Sequence, residues 1–347
     1  MSQTADPYVS KSVTDKFGRR VRDLRISVTD RCNFRCAYCM PAEIYGERYE
    51  FLDQDSLLTF EEITRITNLL VKIGVKKVRI TGGEPLVRRD VDVLVKMISK
   101  IDNLADIAMT TNGYLLPKMA LALKEAGLTR LTVSLDTLDD AIFREMNGRN
   151  FGVKSVLKGI ESASKVGFHP IKINSVVQKG VNDHTLTELA EHFLNKGHIV
   201  RFIEYMDVGT LNNWNMKHVV SAKEIISQIK QTIPIEPLEP LYEGEVAKRY
   251  RQINGTGEIG IIASVTNPFC GACTRLRLSP EGSLYTCLFG TTGTDLRTPI
   301  RNGASDQELV ELISTTWYNR NDQYSQTRNI NPTENTNKKV EMYHIGG

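Results

Sequence analysis

The sequence predicts an α/β fold: an incomplete (β/α)6 barrel of the TIM type, followed by a smaller α+β extension. Short β-branched runs alternate with longer amphipathic runs from residue 24 to about residue 205, and the texture changes beyond about Met216. A repeated strand–helix order places helices outside a parallel sheet. Six such units would form an open barrel rather than a closed eight-stranded one.

We predict six strands in the barrel: Leu24–Thr29, Lys77–Thr81, Asp106–Thr111, Arg130–Ser134, Ile171–Val177 and Val200–Glu204. Helical patterns lie between them, for example over Phe60–Ile73 and Leu115–Ala126. The first of these helices is predicted to start at the capping box Thr59–Glu62 and to stop at Gly74. The active site of such a sheet lies at the carboxyl ends of its strands, where Cys32 follows the first strand.

The second half of the chain is predicted to start a smaller unit. Pro234, Pro237 and Pro240 indicate a boundary or linker, and we divide the chain into a barrel core over residues 17–225 and a C-terminal domain over residues 226–347. Further elements are predicted as follows: strands at Lys248–Ile253, Ile259–Ala263 and Leu276–Leu278, a helix near Asp306–Trp317, and a polar loop or mobile tail over residues 319–339.

Composition excludes several classes of protein. The 347 residues carry a net charge of +3, which is too small to indicate a nucleic-acid-binding protein. The sequence has no apolar run that could span a bilayer and no apolar signal segment at its start, so we expect a cytoplasmic protein with reduced thiols. Its six cysteines fall into two distant groups of three, which favours metal binding over disulfides.

The first cysteine group has the spacing C-x3-C-x2-C, formed by Cys32, Cys36 and Cys39. Three thiolates so placed can bind three irons of a four-iron cluster and leave the fourth iron open. Tyr38 lies between two of them, where its ring could lie against an adenine. The alternative is a zinc site without an evident fourth ligand, which Cys270 or Cys273 would have to complete.

A Gly-Gly-Glu-Pro turn, Gly82 to Pro85, follows the second predicted strand. Glycines allow the backbone to approach a ligand closely, and Glu84 could accept hydrogen bonds from an ammonium group. Alone, such a sequence is usually only a turn. Its position after a strand and about forty residues beyond the cysteine loop favours a ligand site.

The second cysteine group has the spacing C-x2-C-x13-C, formed by Cys270, Cys273 and Cys287. We interpret it as a second cluster with an open iron that binds substrate; the alternative is a zinc ribbon that lacks one ligand. Arg275 and Arg277 follow, and on a strand they would share one face. Two guanidiniums at this place could bind phosphate, unless the strand is merely a solvated edge.

The first cysteine group is typical of the radical S-adenosylmethionine (SAM) enzymes. Together, the two groups, the Gly82–Pro85 turn, the run Thr274–Arg277 and the terminal Gly346-Gly347 resemble the GTP 3',8-cyclase family of molybdenum cofactor biosynthesis. The resemblance extends from about Phe17 to Gly347 and includes the run Arg22–Cys32. The residues before Phe17 carry no family pattern.

The resemblance implies a radical SAM lyase with two [4Fe–4S] clusters. In that family the first cluster reduces SAM, and the 5'-deoxyadenosyl radical takes the 3' hydrogen of GTP. Ring closure then gives (8S)-3',8-cyclo-7,8-dihydroguanosine 5'-triphosphate. The implied partners are cyclic pyranopterin monophosphate synthase as the next enzyme, a reduced flavodoxin or ferredoxin as electron donor, and a second copy of the chain in a homodimer, with neither nucleic acid nor membrane.

The resemblance also assigns site residues. The SAM contacts are Tyr38, Gly82, Gly83, Glu84, Asn112, Ser134 and Met206. The GTP contacts are Arg25, Arg79, Thr110, Lys172, Arg201, Arg275, Leu276 and Arg277, with Lys77 as a further candidate. The catalytic residues are Arg275, Arg277, Gly346 and Gly347.

Simpler interpretations exist for several of these residues. Met206 could be core packing, any single cation could be a surface charge, and the Gly-Gly terminus could be a frayed end. Ubiquitin-like sulfur carriers also end in Gly-Gly, but they are small single domains. For the whole chain, the alternatives are another radical SAM enzyme with an auxiliary cluster, such as a peptide maturase, and a zinc-stabilised binding module.

Overall fold

The computed structural model describes residues 13–242, 244–253, 255–328 and 339–347. Within these residues, six parallel strands pair in chain order, as predicted. Each starts and ends within two residues of its predicted limits. The strands are β1 Asp23–Ser27, β2 Lys77–Thr81, β3 Asp106–Thr111, β4 Arg130–Ser134, β5 Lys172–Val177 and β6 Ile199–Glu204.

Helices connect successive strands. They are α1 Phe60–Lys72, α2 Val91–Ile98, α3 Leu116–Glu125, α4 Asp140–Asn147, α5 Val153–Lys165 and α6 Leu186–Leu194, with α7 Ala222–Lys230 after β6. The predicted capping box is confirmed, because Thr59 accepts from the Glu62 amide and the Glu62 side chain accepts from the Thr59 amide. Gly74 follows the end of α1 with a φ of 125°, a conformation that favours glycine.

Alternation along the strands separates the apolar core from the inside of the barrel. On β2, Val78 and Ile80 are fully buried in the apolar core, whereas Lys77, Arg79 and Thr81 line an internal cavity. The pattern Lys-Val-Arg-Ile-Thr thus explains both the stability of this strand and the polarity of the barrel interior.

The C-terminal part extends both edges of the barrel sheet. β9 pairs in parallel with β6, and β10 pairs in parallel with β1. Antiparallel strands follow outward on each side, so the sheet in the described residues has twelve strands. These added strands are β7 Ile235–Leu238, β8 Lys248–Gln252, β9 Glu258–Ile262, β10 Arg275–Leu278, β11 Ser283–Tyr285 and β12 Thr294–Asp295.

Among its described residues, this part also contains the α-helices α8 Arg297–Arg301, α9 Asp306–Tyr318, α10 Tyr324–Thr327 and α11 Met342–Ile345. α9 confirms the helix predicted near Asp306–Trp317. The polar stretch predicted as loop or tail differs in part, since its residues 319–328 include α10. Its residues 329–338 lie outside the described residues, as do residues 1–12 of the patternless start of the chain.

The proline-rich stretch predicted as a linker differs in part from the structure. Pro237 lies inside β7, at the edge of the sheet, where a residue without an amide donor is tolerated. The predicted boundary between residues 225 and 226 falls within α7, and the division into two domains stays a prediction. No helix among the described residues is both long and apolar enough to cross a membrane.

Candidate active site

A cavity of about 300 Å³ lies inside the barrel. It brings together the two cysteine groups, which the sequence separates by more than two hundred positions. Its walls include all six cysteines: Cys32, Cys36, Cys39, Cys270, Cys273 and Cys287. The first group lies on the loop after β1, and the second group flanks β10 and β11.

A buried arginine holds the first cysteine loop. Arg35 is only 6% exposed, and its guanidinium donates to the carbonyl oxygens of Cys32 at 2.7 Å and Tyr45 at 2.5 Å. The loop closes on itself where the Cys39 amide donates to the Cys36 carbonyl oxygen at 2.9 Å. Sequence reasoning missed Arg35, although it lies between two of the predicted ligands.

The thiols of the first group are strongly disfavoured as anions. Burial, then the Glu84 carboxylate, raises the pKa of Cys32 to about 12. Burial and the Asp136 carboxylate raise the pKa of Cys36, and burial and Cys32 raise that of Cys39. Thiolates here therefore need positive charge from a bound group, and the irons of a cluster supply such charge.

The Gly82–Pro85 turn packs against the first cysteine loop. A β-carbon at Gly83 would collide with the Arg31 carbonyl oxygen, and one at Gly82 would lie 2.7 Å from the Thr29 carbonyl oxygen. The glycines therefore allow two loops of the protein to touch, in addition to the predicted close approach to a ligand. Both glycines also line the cavity.

Glu84 lies at the inner end of this turn and is 1% exposed. Its carboxylate accepts from the Asn112 amide at 2.7 Å, the Thr111 hydroxyl at 2.7 Å and the Leu86 amide at 3.0 Å. Burial raises the pKa of Glu84 to about 7, even though these hydrogen bonds lower it. A buried carboxylate on the cavity wall suits a cationic ligand group.

The other residues predicted to contact SAM, namely Tyr38, Asn112, Ser134 and Met206, line the same cavity. The Tyr38 hydroxyl donates to Asp136 at 2.9 Å. Asp136 also accepts from the Val176 amide at 2.8 Å, and burial raises its pKa to about 6. Asp136 is not among the predicted site residues, although it lies just beyond the end of β4, where ligand residues are expected.

A buried ion network supports the second cysteine group. Asp15 pairs with Arg19 at 2.6 Å and with Arg320 at 3.5 Å. Arg19 donates to the Cys270 carbonyl oxygen at 2.7 Å, and Arg320 donates to that of Cys273 at 2.7 Å. Residues from both ends of the chain thus fix the cysteine turn, a contact that no local pattern predicts.

Positive charge lies beside Cys273 of this second group. The Arg275 guanidinium donates to the Cys273 sulfur at 3.3 Å. Burial raises the pKa of the Cys273 thiol, but Arg275 and Arg320 outweigh burial and lower that pKa to about 6. Cys287 differs, because burial and then Asp322 raise its pKa to about 11. At neutral pH the protein itself therefore stabilises one thiolate of this group.

The cations predicted to bind GTP gather on the inner face of the barrel. Burial and neighbouring cations lower the pKa of Lys172 to about 6, of Lys77 to about 8 and of Arg79 to about 10. Arg79 donates to the Thr110 hydroxyl at 2.8 Å, and Arg201 lies 3.9 Å from Glu245. Burial, and then Arg277 and other arginines, lower the pKa of Arg25. The residues of this group that line the cavity are Arg25, Lys77, Arg79, Thr110 and Arg201.

This crowding of buried cations is costly without an anion, so a polyphosphate would stabilise it. Lys172 shares the inner face of β5 with Asn174, which lines the cavity. Arg130, which is not among the predicted GTP ligands, is closely paired with Asp106. Lys77 and Arg201 have longer ion pairs, to Asp23 at 3.6 Å and to Glu245 at 3.9 Å.

The Leu276 side chain lies away from the cavity, and its assignment as a GTP contact stays a prediction. Arg275 and Arg277 line the cavity, but the Leu276 side chain points to the other face of β10 and is fully buried in the apolar core. The period of two along a strand requires this outcome. Its side chain therefore belongs to the packing of the barrel.

The chain ends inside the cavity. Gly347 lines the cavity wall, and the Arg277 guanidinium donates to the Gly346 carbonyl oxygen. Gly346 has a φ of 73°, and a β-carbon there would collide with the Thr81 side chain. Glycine is therefore required at this position, and the frayed-end interpretation is wrong for the described tail.

The donor set fits iron–sulfur chemistry. Cysteine thiolates hold such clusters, and each triad supplies three sulfurs to the cavity. In the described parts of the chain, no three His, Cys, Asp or Glu side chains are close enough to share a single metal ion. Such a spread is compatible with a cluster, where each thiolate binds a different iron.

Comparisons with known proteins cover nearly the whole chain. The family model of the radical SAM superfamily matches residues 26–193, and the model named Molybdenum Cofactor Synthesis C matches residues 198–326. A GTP 3',8-cyclase of Staphylococcus epidermidis is 49% identical over 337 residues, which cover 96% of this chain and 99% of that protein. One from Acidothermus cellulolyticus is 48% identical over 362 residues, which cover 98% and 100%.

Among solved structures, Streptococcus suis SuiB bound to S-adenosylmethionine is similar with a TM-score of 0.62. The match covers 89% of this chain and 68% of that chain at 17% identity, so it shows the shared fold alone.

Proposed function

The chain belongs to the GTP 3',8-cyclase family of radical SAM enzymes, and we propose that its two cysteine groups hold two [4Fe–4S] clusters, one for SAM and one for GTP. It is a radical SAM lyase that cyclises GTP in molybdenum cofactor biosynthesis. The presence of SAM and an iron–sulfur cluster follows from the family. The second cluster is supported by one observation: all six cysteines line one cavity, three at each of two places.

Cys32, Cys36 and Cys39 would hold the first cluster, which together with bound SAM would supply the radical chemistry. The protein's own residues would bind SAM and GTP and orient them toward each other. Glu84 would accept hydrogen bonds from the SAM ammonium group, and Tyr38, fixed by Asp136, would form the neighbouring wall. We propose Gly82, Gly83, Asn112, Ser134 and Met206 as the remaining SAM contacts, because all of them line the cavity.

The triphosphate would bind to the buried cations. Lys77, Arg79 and Arg201 line the cavity, and Lys172 lies on the same inner face, so together they supply the charge that a triphosphate needs. Arg25 and Thr110 complete this wall. Arg277 is paired with Arg25 on the neighbouring strand and donates to the Gly346 carbonyl oxygen, and Arg275 donates to the Cys273 sulfur.

The partners implied by the family stay proposals: the downstream cyclic pyranopterin monophosphate synthase, a flavodoxin-type or ferredoxin-type electron donor, and a homodimer. A peptide maturase was the alternative enzyme. The similarity to SuiB concerns the fold alone, whereas the relatives at 48–49% identity and the Molybdenum Cofactor Synthesis C match favour the cyclase.

The test is an anaerobic assay of the reconstituted full-length protein with dithionite, SAM and GTP. The expected products are 5'-deoxyadenosine and the cyclised nucleotide. Turnover of a peptide without consumption of GTP would overturn the substrate assignment. Iron and labile sulfide analysis tests the clusters separately: the expected content is about eight irons per chain, and about four would leave only one cluster.

A further inference from the structure

The C-terminal segment, residues 339–347, reaches the cavity along a series of contacts. The Val340 amide donates to the Gly290 carbonyl oxygen at 3.0 Å. Further along, the Tyr343 hydroxyl lies 3.2 Å from that of Tyr49, and His344 pairs with Glu281 at 3.0 Å. The position of the terminal glycines therefore depends on where this segment begins.

Asp207 binds the beginning of this segment. It follows β6, and its carboxylate lies 3.0 Å from the Lys339 ammonium and 2.9 Å from the Arg328 guanidinium. Lys339 also donates to the Asp207 carbonyl oxygen at 2.9 Å. Arg328 and Lys339 lie on either side of residues 329–338, so a single carboxylate joins the two described ends.

The two cations are almost completely removed from water. Arg328 is 7% exposed and Lys339 is 8% exposed. Phe289 and Tyr324 stack at 4.3 Å, and the Lys339 ammonium lies 4.5 Å from the Tyr324 ring and 5.5 Å from the Phe289 ring. Buried cations require a paired anion, so loss of the Asp207 charge would destabilise this arrangement.

The same loop contacts the segment a second time and also lines the cavity. The Thr210 amide and hydroxyl donate to Glu341 at 2.8 Å and 3.0 Å. Met206, next to Asp207, lies in the cavity wall. The loop after β6 thus connects the wall of the proposed SAM site to the C-terminal segment.

We propose that Asp207 is a positioning residue for the reaction: by pairing with Arg328 and Lys339, it fixes the start of the C-terminal segment and so keeps Gly346 and Gly347 in the cavity. This proposal rests on the proposed function, because it gives the terminal glycines a role in GTP turnover. Asp207 itself does not line the cavity, and its effect passes through the segment.

The test compares Asp207→Asn and Lys339→Met with Lys339→Arg, which keeps the cation. For the first two, we expect faster hydrogen–deuterium exchange in peptides from residues 339–347 and a kcat for GTP turnover about 100-fold lower. Binding of SAM should remain within about threefold. Lys339→Arg should restore most of the protection, and combining Asp207→Asn with Lys339→Met should add little further loss.

Asp102→Asn, in an exposed turn before β3, serves as the matched control and should change neither quantity. Unchanged exchange in both Asp207→Asn and Lys339→Met would overturn the proposal, as would equally increased exchange throughout the barrel. If Asp207→Asn does not fold, Lys339→Met against Lys339→Arg decides the question. Exchange is measured without substrate, so failure of the wild type to convert GTP would count against the proposed function and leave the exchange result valid.

Discussion

The two cysteine groups share one cavity but have opposite electrostatic surroundings. Glu84 and Asp136 lie near the first group, and burial with these carboxylates raises the pKa values of Cys32 and Cys36. Arg275 and Arg320 lie at the second group and lower the pKa of Cys273 to about 6 against the effect of burial. Cys287 departs from this contrast, because burial and then Asp322 raise its pKa to about 11. Around Cys32, Cys36 and Cys273, the protein lacks the charge that the proposed ligand would bring: SAM is a cation, and GTP is an anion.

Replacing one cysteine in each group should reveal the largest difference between the two groups. Cys36→Ser is expected to abolish both 5'-deoxyadenosine formation and GTP cyclisation, because we propose that the radical is generated at the first group. Cys273→Ser is expected to abolish cyclisation while SAM still binds. Chromatography of the products and equilibrium SAM binding check both; undiminished product from Cys273→Ser would show that the second group is dispensable.

Neutralising the carboxylate near the first group should affect one ligand only. Glu84→Gln is expected to weaken SAM binding by about 10- to 100-fold, which is the effect of losing one or two charge-assisted hydrogen bonds. GTP binding should not change. Anaerobic equilibrium binding of each ligand is the measurement, with the exposed Glu188→Gln on α6 as control. An equal loss for both ligands would mean that the two halves of the cavity are not separate.

Thiol chemistry in the metal-free protein tests the comparison directly. At pH 7 the Cys273 thiol, with a pKa of about 6, should be alkylated as a thiolate, whereas Cys32, with a pKa of about 12, should be inert. Arg275→Met should raise the pKa of Cys273 and slow its alkylation by about tenfold or more. Mass spectrometry of the labelled peptides at several pH values would measure the alkylation rate of each thiol. Equal rates for Cys273 and Cys32 would contradict the prediction.

The smallest expected effects are those of pH, and they have opposite signs for the two ligands. Glu84 must be charged to bind an ammonium group, so SAM affinity should fall as the pH drops through its pKa of about 7. Lys172 must be charged to bind phosphate, so GTP affinity should fall as the pH rises above its pKa of about 6. Each slope is at most about tenfold per pH unit.

GTP itself titrates in this range, so the informative quantity is the difference between the wild type and Lys172→Met. Glu84→Gln provides the same control for SAM. If these variants keep the wild-type pH dependence, the two side chains are not the groups that titrate.

The sequence predicts those parts of the site whose residues lie close together along the chain and form a recognisable motif. The cysteines of both groups, Gly82 to Glu84 of the turn and the alternating cations of β2 all line the cavity, and their roles there stay predictions. Leu276 was selected from its neighbours in the motif, although strand alternation places its side chain on the other face.

Long-range partners could not be predicted in the same way. Asp15 and Arg320 are 305 positions apart, and each is an ordinary surface-type residue in its local sequence. Asp207 pairs with Arg328 and Lys339, and Lys339 is 132 positions further along the chain. The pairing of charges that stabilises buried groups depends on the folded arrangement, so these residues emerge only from the structure.

Both edges of the barrel sheet are completed by strands from the C-terminal part of the sequence, which the ribosome synthesises last. The barrel can therefore complete its pairing only after most of the chain has been made. β1 has no neighbour on one side until β10 exists, and the contact between Asp23 and Thr274 spans 251 positions. In the same way, the outer edge of β6 stays unpaired until β9 has been synthesised. A nascent chain emerging from the ribosome therefore exposes two open strand edges, and closure of such distant pairs is slow. The C-terminal segment is the last to arrive, and its Tyr343 packs 5.1 Å from Tyr45 and against Cys39 of the first cysteine loop. The proposed cluster on that loop would therefore be inserted before this segment covers it.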